Sequence, residues 1–263
     1  MATLGWIVAS CLLGGVLSVS AAAAMAYRAR PSTVPVLVSY SVGALLGAAF
    51  LAVLPHALEA LASPTALGAS VLAGLMVFFV LEKLVLWRHQ HAPQWGEDAR
   101  HADHKHVHAA PGGRSGMLIM IGDTVHNFVD GVLIAAAFLQ SPALGLVTAI
   151  AIVAHEIPQE VGDFLVLRHS GYSRGKAFAL NILSSLGSVA GGVLGYFTLQ
   201  GFEDWEPILL GVVAASMIYV AVADLIPGLH KRPELRATAQ QGLLIAAGVA
   251  AIVLVRALSG AAH

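Results

Sequence analysis

Eight stretches of twenty or more mainly apolar residues divide this 263-residue chain: 4–26, 34–60, 66–88, 116–139, 143–167, 177–200, 207–229 and 239–258. A helix needs about 20 such residues to cross roughly 30 Å of hydrocarbon. Inside a bilayer only helices and closed barrels satisfy their own backbone. The period-two alternation of a barrel wall is absent, and Gly and Ala recur through the runs, as close helix packing favours. The expected fold is an all-α polytopic membrane protein, an eight-transmembrane-helix bundle in a single membrane domain. Composition agrees, because 57% of residues are hydrophobic and only 11% charged, against about 25% charged in a soluble domain. No Lys or Arg precedes the first run, as one would in a secretory leader, so it is read as a membrane helix.

The charges total 14 Lys and Arg against 15 Asp and Glu, a net of -1, which excludes a polybasic nucleic-acid binder. Their positions say more than their sum. Positive residues collect on the cytosolic face of membrane proteins. Thirteen of the 14 fall in odd-numbered loops or at the span ends beside them: Arg28 and Arg30; Lys83, Arg88, Arg100, Lys105 and Arg114; Arg168, Arg174 and Lys176; Lys231, Arg232 and Arg236. The sixth loop carries Glu203, Asp204 and Glu206 instead. Both termini are therefore expected on the non-cytoplasmic side. The single cysteine, Cys11, excludes a disulfide framework and a cysteine zinc site.

The one long loop, residues 89–115, is cytosolic by this count and holds His89, His91, His101, His104, His106 and His108, half of the chain's 12 histidines. Such spacing suits transient metal capture by imidazole. A solvated connector that binds metal weakly is the other reading.

Charged side chains in hydrocarbon cost about 2.5 to 3.5 kcal/mol each at a helix centre, so each is a functional hypothesis. The fourth run contains Asp123, His126, Asn127 and Asp130; the fifth contains His155, Glu156, Gln159, Glu160 and Asp163. Asp130, Glu156 and Glu160 together would cost about 9 kcal/mol unpaired, against a typical net stability of about 5 to 15 kcal/mol. A divalent cation would offset that charge. Residues four apart share a helix face, so His126 points with Asp130, His155 with Gln159, and Glu156 with Glu160, with Asn127 beside the first pair. Opposed faces would converge imidazole, carboxylate and amide donors suited to zinc, iron, manganese or cadmium. Pro158 adds a carbonyl, that of Ala154, left without its helical donor.

A single His–Asp pair on a membrane helix usually marks an interhelical hydrogen bond; two matched helices favour a cation site. Asp123 and Asp163 read equally as path-lining groups or as mouth residues paired with Lys or Arg. His56 and Glu59, after Pro55 at the outer end of the second run, read as an entrance or as interfacial residues. Asp224, before Pro227, reads best as a structural hydrogen-bonding group. Two rival classes stand beside a cation site that passes metal. An intramembrane metalloprotease would carry His-Glu-x-x-His, but the fifth position here is Gln159 and Pro158 interrupts the turn. The second rival, a metal-free proton-coupled antiporter, leaves the two histidines unexplained.

His126-Asn127-Phe128-Val129-Asp130-Gly131 followed by His155-Glu156-Ile157-Pro158-Gln159-Glu160-Val161-Gly162-Asp163-Phe164 resembles the paired signatures of the ZIP (Zrt- and Irt-like) metal transporters. It is most similar to the branch with His-Asn-x-x-Asp-Gly in the fourth helix and His-Glu-x-Pro-His-Glu in the fifth. The likeness extends to Pro55-His56-Ala57-Leu58-Glu59, Glu82-Lys83, the His-rich loop, Tyr219 and Pro227. It implies no enzyme but uptake of a divalent metal, zinc first among the candidates, by alternating access, helices one, four, five and six shifting against two, three, seven and eight. The metal would be cargo rather than cofactor. His126, Asp130, His155 and Gln159 would form one site and Asn127, Asp130, Glu156 and Gln159 a second, with Glu160 in support. The chain departs from the pattern at three places. Gln159 stands for the branch's usual His, Ala48 and Ala52 stand where relatives often have Asp and His, and Ser188 stands about where some bacterial members place a carboxylate. Divalent metal and the lipid bilayer are the expected partners, with a homodimer kept open. The short termini point to a bacterial inner membrane.

Overall fold

The computed structural model describes residues 2–28, 34–60, 63–91, 114–201, 206–230 and 234–260. Among these there are helices and turns but no strand. We number the helical spans α1, Ala2–Arg28; α2, 34–60; α3, Pro64–His91; α4, Arg114–Gln140; α5, Pro142–His169; α6, Arg174–Leu199; α7, 206–229; and α8, Leu235–Gly260. α2 and α7 are each interrupted by a π-helical turn, Ala49–Val53 and Val220–Leu225, shortly before Pro55 and Pro227.

Seven of the eight are long and apolar enough to cross a membrane; α4 is the exception among the described residues. Its middle carries Asp123, His126, Asn127 and Asp130. Asp123, Asn127 and Asp130 are buried in the bundle and His126 partly so, which is where polar groups of a membrane helix belong.

The helices associate in two groups. α4 packs chiefly on α6, and α1 on α5 and α6, while α2 packs on α7 and α8, and α3 on α7. The main contact between the groups is α2 against α5. α5 is accordingly the most enclosed helix, 67% of its apolar window lying inside the bundle against 11% for α8.

Small residues set the closest approaches. A Cβ on Gly131 of α4 would collide with the Ser188 carbonyl of α6, and one on Gly191 of α6 with the Phe128 carbonyl of α4. Absence of side chains at such points lets helix backbones touch, which is how membrane helices gain packing energy.

Two proline-freed carbonyls find donors on neighbouring helices. Proline has no N–H for the carbonyl four residues earlier. Pro158 leaves Ala154, whose oxygen accepts from the Ser41 hydroxyl of α2. Pro55 leaves Leu51, whose oxygen accepts from the guanidinium of Arg256 on α8. Arg256 is the fourteenth cation, the one outside the odd-numbered loops.

Candidate metal centre

The connection between α4 and α5 is a single residue, Ser141. Its hydroxyl caps α5 by accepting from the Leu144 amide at 3.1 Å, and Pro142 follows at the first helical position. Ser and Pro in that order are strong helix-start residues. So short a turn forces the two helices to run antiparallel side by side. Position then follows from counting at about 1.5 Å per residue: His126 lies fifteen residues before Ser141 and His155 fourteen after it.

The two imidazoles meet, with His126 Nε2 3.2 Å from His155 Nε2. Asp130 Oδ2 lies 3.3 Å from His155 Nε2 and 3.6 Å from His126 Nε2. Glu156 Oε1 lies 3.5 Å from His126 Nε2 and 3.7 Å from His155 Nε2. All four donor atoms fall within 4.8 Å of one another. A tetrahedral ion with ligands at about 2.0 to 2.2 Å separates its donors by about 3.3 to 3.6 Å, and the spacings between each imidazole nitrogen and the other donors lie close to that range.

Hydrogen bonding points the same way. Asp130 Oδ2 and both Glu156 oxygens are buried and accept no hydrogen bond among the described residues, an arrangement that is costly unless a cation or another donor satisfies it. His155 places Nδ1 3.4 Å from the Ala151 carbonyl. An N–H donated there leaves the Nε2 lone pair facing the cluster, the usual way a ligating imidazole is oriented. His155 is 2% exposed at its side chain and His126 29%, so the cluster is reached past His126.

Asn127 and Gln159 are turned elsewhere. Both amide nitrogens donate to Asp123 Oδ1, at 3.1 Å and 3.3 Å, and Asn127 also donates to the Asp123 carbonyl at 3.1 Å. Asp123 and Gln159 each lie eighteen residues from Ser141, in opposite directions. Equal depth brings them together, and that count was available in the sequence. Glu160 is fully enclosed, with the Asn181 amide donating to its backbone carbonyl at 3.2 Å. Asp163 is half-buried, in electrostatic reach of Asp123 and Glu160.

The remaining residues fall as follows. His56 and Glu59 line a cavity with Ser141, Arg256 and Ser259, between the ends of α2, α5 and α8. Ser188 is buried, its hydroxyl donating to the Ser185 carbonyl of its own helix at 2.7 Å. Asp224 lies in the π-helical turn of α7. Ala48 and Ala52 are buried in the core beside Ala49 and Val53. His101, His104, His106 and His108 lie outside the described residues, as do the side chains of His89 and His91.

A family model described as ZIP Zinc transporter matches residues 2–115 and 87–256. The zinc transporter ZIP13 of Pongo abelii is 32% identical over 232 residues, covering 83% of this chain and 65% of that protein. ZIP13 of Mus musculus is 32% identical, covering 83% and 68%. The zinc transporter YKE4 of Saccharomyces cerevisiae is 28% identical, covering 74% and 61%. The chain thus spans about two thirds of the length of these relatives.

Proposed function

The chain belongs to the ZIP zinc transporter family, and from that footing we propose that it carries zinc, or a similar divalent metal such as iron, manganese or cadmium, into the cytosol through the His126, Asp130, His155 and Glu156 cluster. One observation carries this reading: four side-chain donors from two helices stand within 4.8 Å of one another, with Asp130 Oδ2 and both Glu156 oxygens buried and accepting no hydrogen bond among the described residues. The mixed nitrogen and oxygen set suits zinc, whereas an all-oxygen cage would suit magnesium, calcium or manganese. An integral membrane protein of a family of transporters needs such a site only transiently occupied, and the partial exposure of His126 leaves it a route of exchange.

In this reading His126 and His155 supply the soft part of the site, Asp130 and Glu156 its charge, and Asn127, Gln159 and Glu160 lie next along the path. His56 and Glu59 line an entrance on the side away from the positive loops. The two groups of helices correspond to the two halves of an alternating-access carrier, α1, α4, α5 and α6 moving with the metal. A bacterial inner membrane as the setting, a homodimer as the assembly and metal capture by the His-rich loop belong to the same reading. Fractionation, cross-linking and deletion of residues 89–110 test these three in turn.

The decisive test is uptake into liposomes containing a metal-sensitive dye. We expect the H126A/D130A variant to lose essentially all zinc uptake while the protein inserts normally. Uptake at the unmodified rate would overturn the reading.

A further inference from the structure

Beside the four-donor cluster, one carboxylate oxygen holds two amides. Asn127 Nδ2 and Gln159 Nε2 both donate to Asp123 Oδ1, at 3.1 Å and 3.3 Å. The first bond lies within α4; the second joins α4 to α5 across 36 positions of sequence.

The two amides do not depend on Asp123 alike. Asn127 also donates to the Asp123 backbone carbonyl at 3.1 Å, an acceptor that any residue at position 123 would keep. For Gln159 the carboxylate oxygen is the one acceptor its nitrogen meets among the described residues. A carboxylate accepts and does not donate, so the nitrogen end of each amide is the end that must turn to Asp123. This fixes the sense of Gln159. The terminal torsion of glutamine is broad and roughly two-fold, and a half-turn about it exchanges the oxygen and nitrogen ends. Without a partner of set polarity, Gln159 could turn either end to a neighbour. With its nitrogen on Asp123, the oxygen is the end left for a cation.

The place gives this orientation a use. Gln159 stands one turn from His155 on the same face of α5. Asp123 is in electrostatic reach of His126 and Asp130, yet the donor atoms that meet are those of His126, Asp130, His155 and Glu156. We infer that Asp123 is a positioning residue: it takes the nitrogen of Gln159 and thereby commits the amide oxygen as the end offered to the ion carried at the cluster. The assignment rests on the transport reading above. An amide oxygen is a hard, neutral donor that suits a divalent ion, whereas the NH2 end would oppose the same ion. Position 123 therefore acts on metal affinity through a residue of the neighbouring helix.

Zinc uptake into liposomes by the full-length chain tests this, with KM and maximal rate measured for paired variants. D123N and D123L both keep nearly the shape of aspartate and both lose its charge. D123N retains an oxygen for Gln159 to donate to, and D123L does not, so their difference reports orientation free of charge. We expect the KM of D123L to exceed that of D123N by about two- to tenfold, the worth of one hydrogen bond, at a similar maximal rate. Beside Gln159→Met, which keeps the length of the side chain and has no amide to orient, the two substitutions should give the same KM. Equal KM for D123N and D123L with Gln159 in place overturns the assignment, as does a difference confined to the maximal rate. An excess that persists beside Gln159→Met also overturns it, because Asp123 would then act on something other than this amide. Where D123L fails to insert, D123S, whose hydroxyl is too short to reach Gln159, takes its place in the same comparison. The transport reading fails on a separate result, zinc uptake by H126A/D130A at the unmodified rate, so the two failures are distinguished.

Discussion

At the scale of single residues, the placement of Gln159 sets what this protein can prefer. It stands one turn below His155 on the same face of α5, where the related branch has histidine, and its nitrogen is engaged by Asp123 at 3.3 Å. An amide is a neutral oxygen or nitrogen partner and contributes little to zinc over manganese; an imidazole at the same place would favour zinc, following the general order of affinities for nitrogen ligands. We expect Gln159→His to shift the competition between zinc and manganese several-fold toward zinc in liposome uptake, at some cost in throughput because the ion is released less readily. An unchanged competition profile would mean that position 159 does not face the ion. How much of this was legible in the sequence can be followed residue by residue. His126 and Asp130 were marked by their spacing of four on α4; on α5 the same spacing paired His155 with Gln159 and Glu156 with Glu160, whereas the donor atoms that meet are those of His126, Asp130, His155 and Glu156. The turn of Asn127 and Gln159 toward Asp123 does not follow from spacing along one helix, which leaves open the depth at which that helix faces another. Depth comes from the length of the connection, here the lone Ser141.

The elements are held by approaches that tolerate no side chain. Gly131 and Gly191 face carbonyls of the opposing helix, so that α4 and α6 lie with their backbones in contact just beside the metal ligands. Adding one methyl group here forces the helices apart or the backbone aside, and overpacking of this kind typically costs about 1 to 3 kcal/mol. Gly191→Ala and Gly131→Ala should each lower the thermal unfolding midpoint in detergent. Gly162→Ala, on α5, meets no atom within 4 Å and should leave it unchanged or raise it slightly, since alanine favours the helix by about 1 kcal/mol. Equal behaviour of all three would show that the α4 and α6 contact is not tight. The apolar runs announced the helices themselves, and the helix ends agree with them within a few residues. The π-helical turns at Ala49–Val53 and Val220–Leu225 had a visible marker in Pro55 and Pro227, but the donor that serves the freed Leu51 carbonyl, Arg256, is 205 residues away and no local pattern predicts it.

For the molecule as a whole, the boundary between the two helix groups is where movement must be absorbed. α2 and α5 supply most of it, and a hydrogen bond from the Ser41 hydroxyl to the Ala154 carbonyl crosses it one residue from His155. Ser41 is 1% exposed and its hydroxyl also reaches the Leu37 carbonyl at 2.9 Å, so removing it would leave the Ala154 oxygen without this donor, a loss of about 1 to 3 kcal/mol. A bond of that size is small enough to break in each transport cycle and large enough to bias the resting arrangement roughly fivefold to a hundredfold, since about 1.4 kcal/mol is a factor of ten. If α5 travels past α2 with the metal, tying the two together at this point must stop the cycle. We therefore expect the S41C/A154C pair, in a chain whose buried Cys11 is replaced by Ser, to carry zinc when reduced, to lose uptake when the two thiols are bridged, and to regain it on reduction. Metal binding at equilibrium should survive bridging, because the four donors all lie on α4 and α5 and none crosses the boundary. Continued uptake by the bridged chain would show that α2 and α5 keep their contact throughout the cycle, and that the ion is passed along a fixed frame by side chains alone.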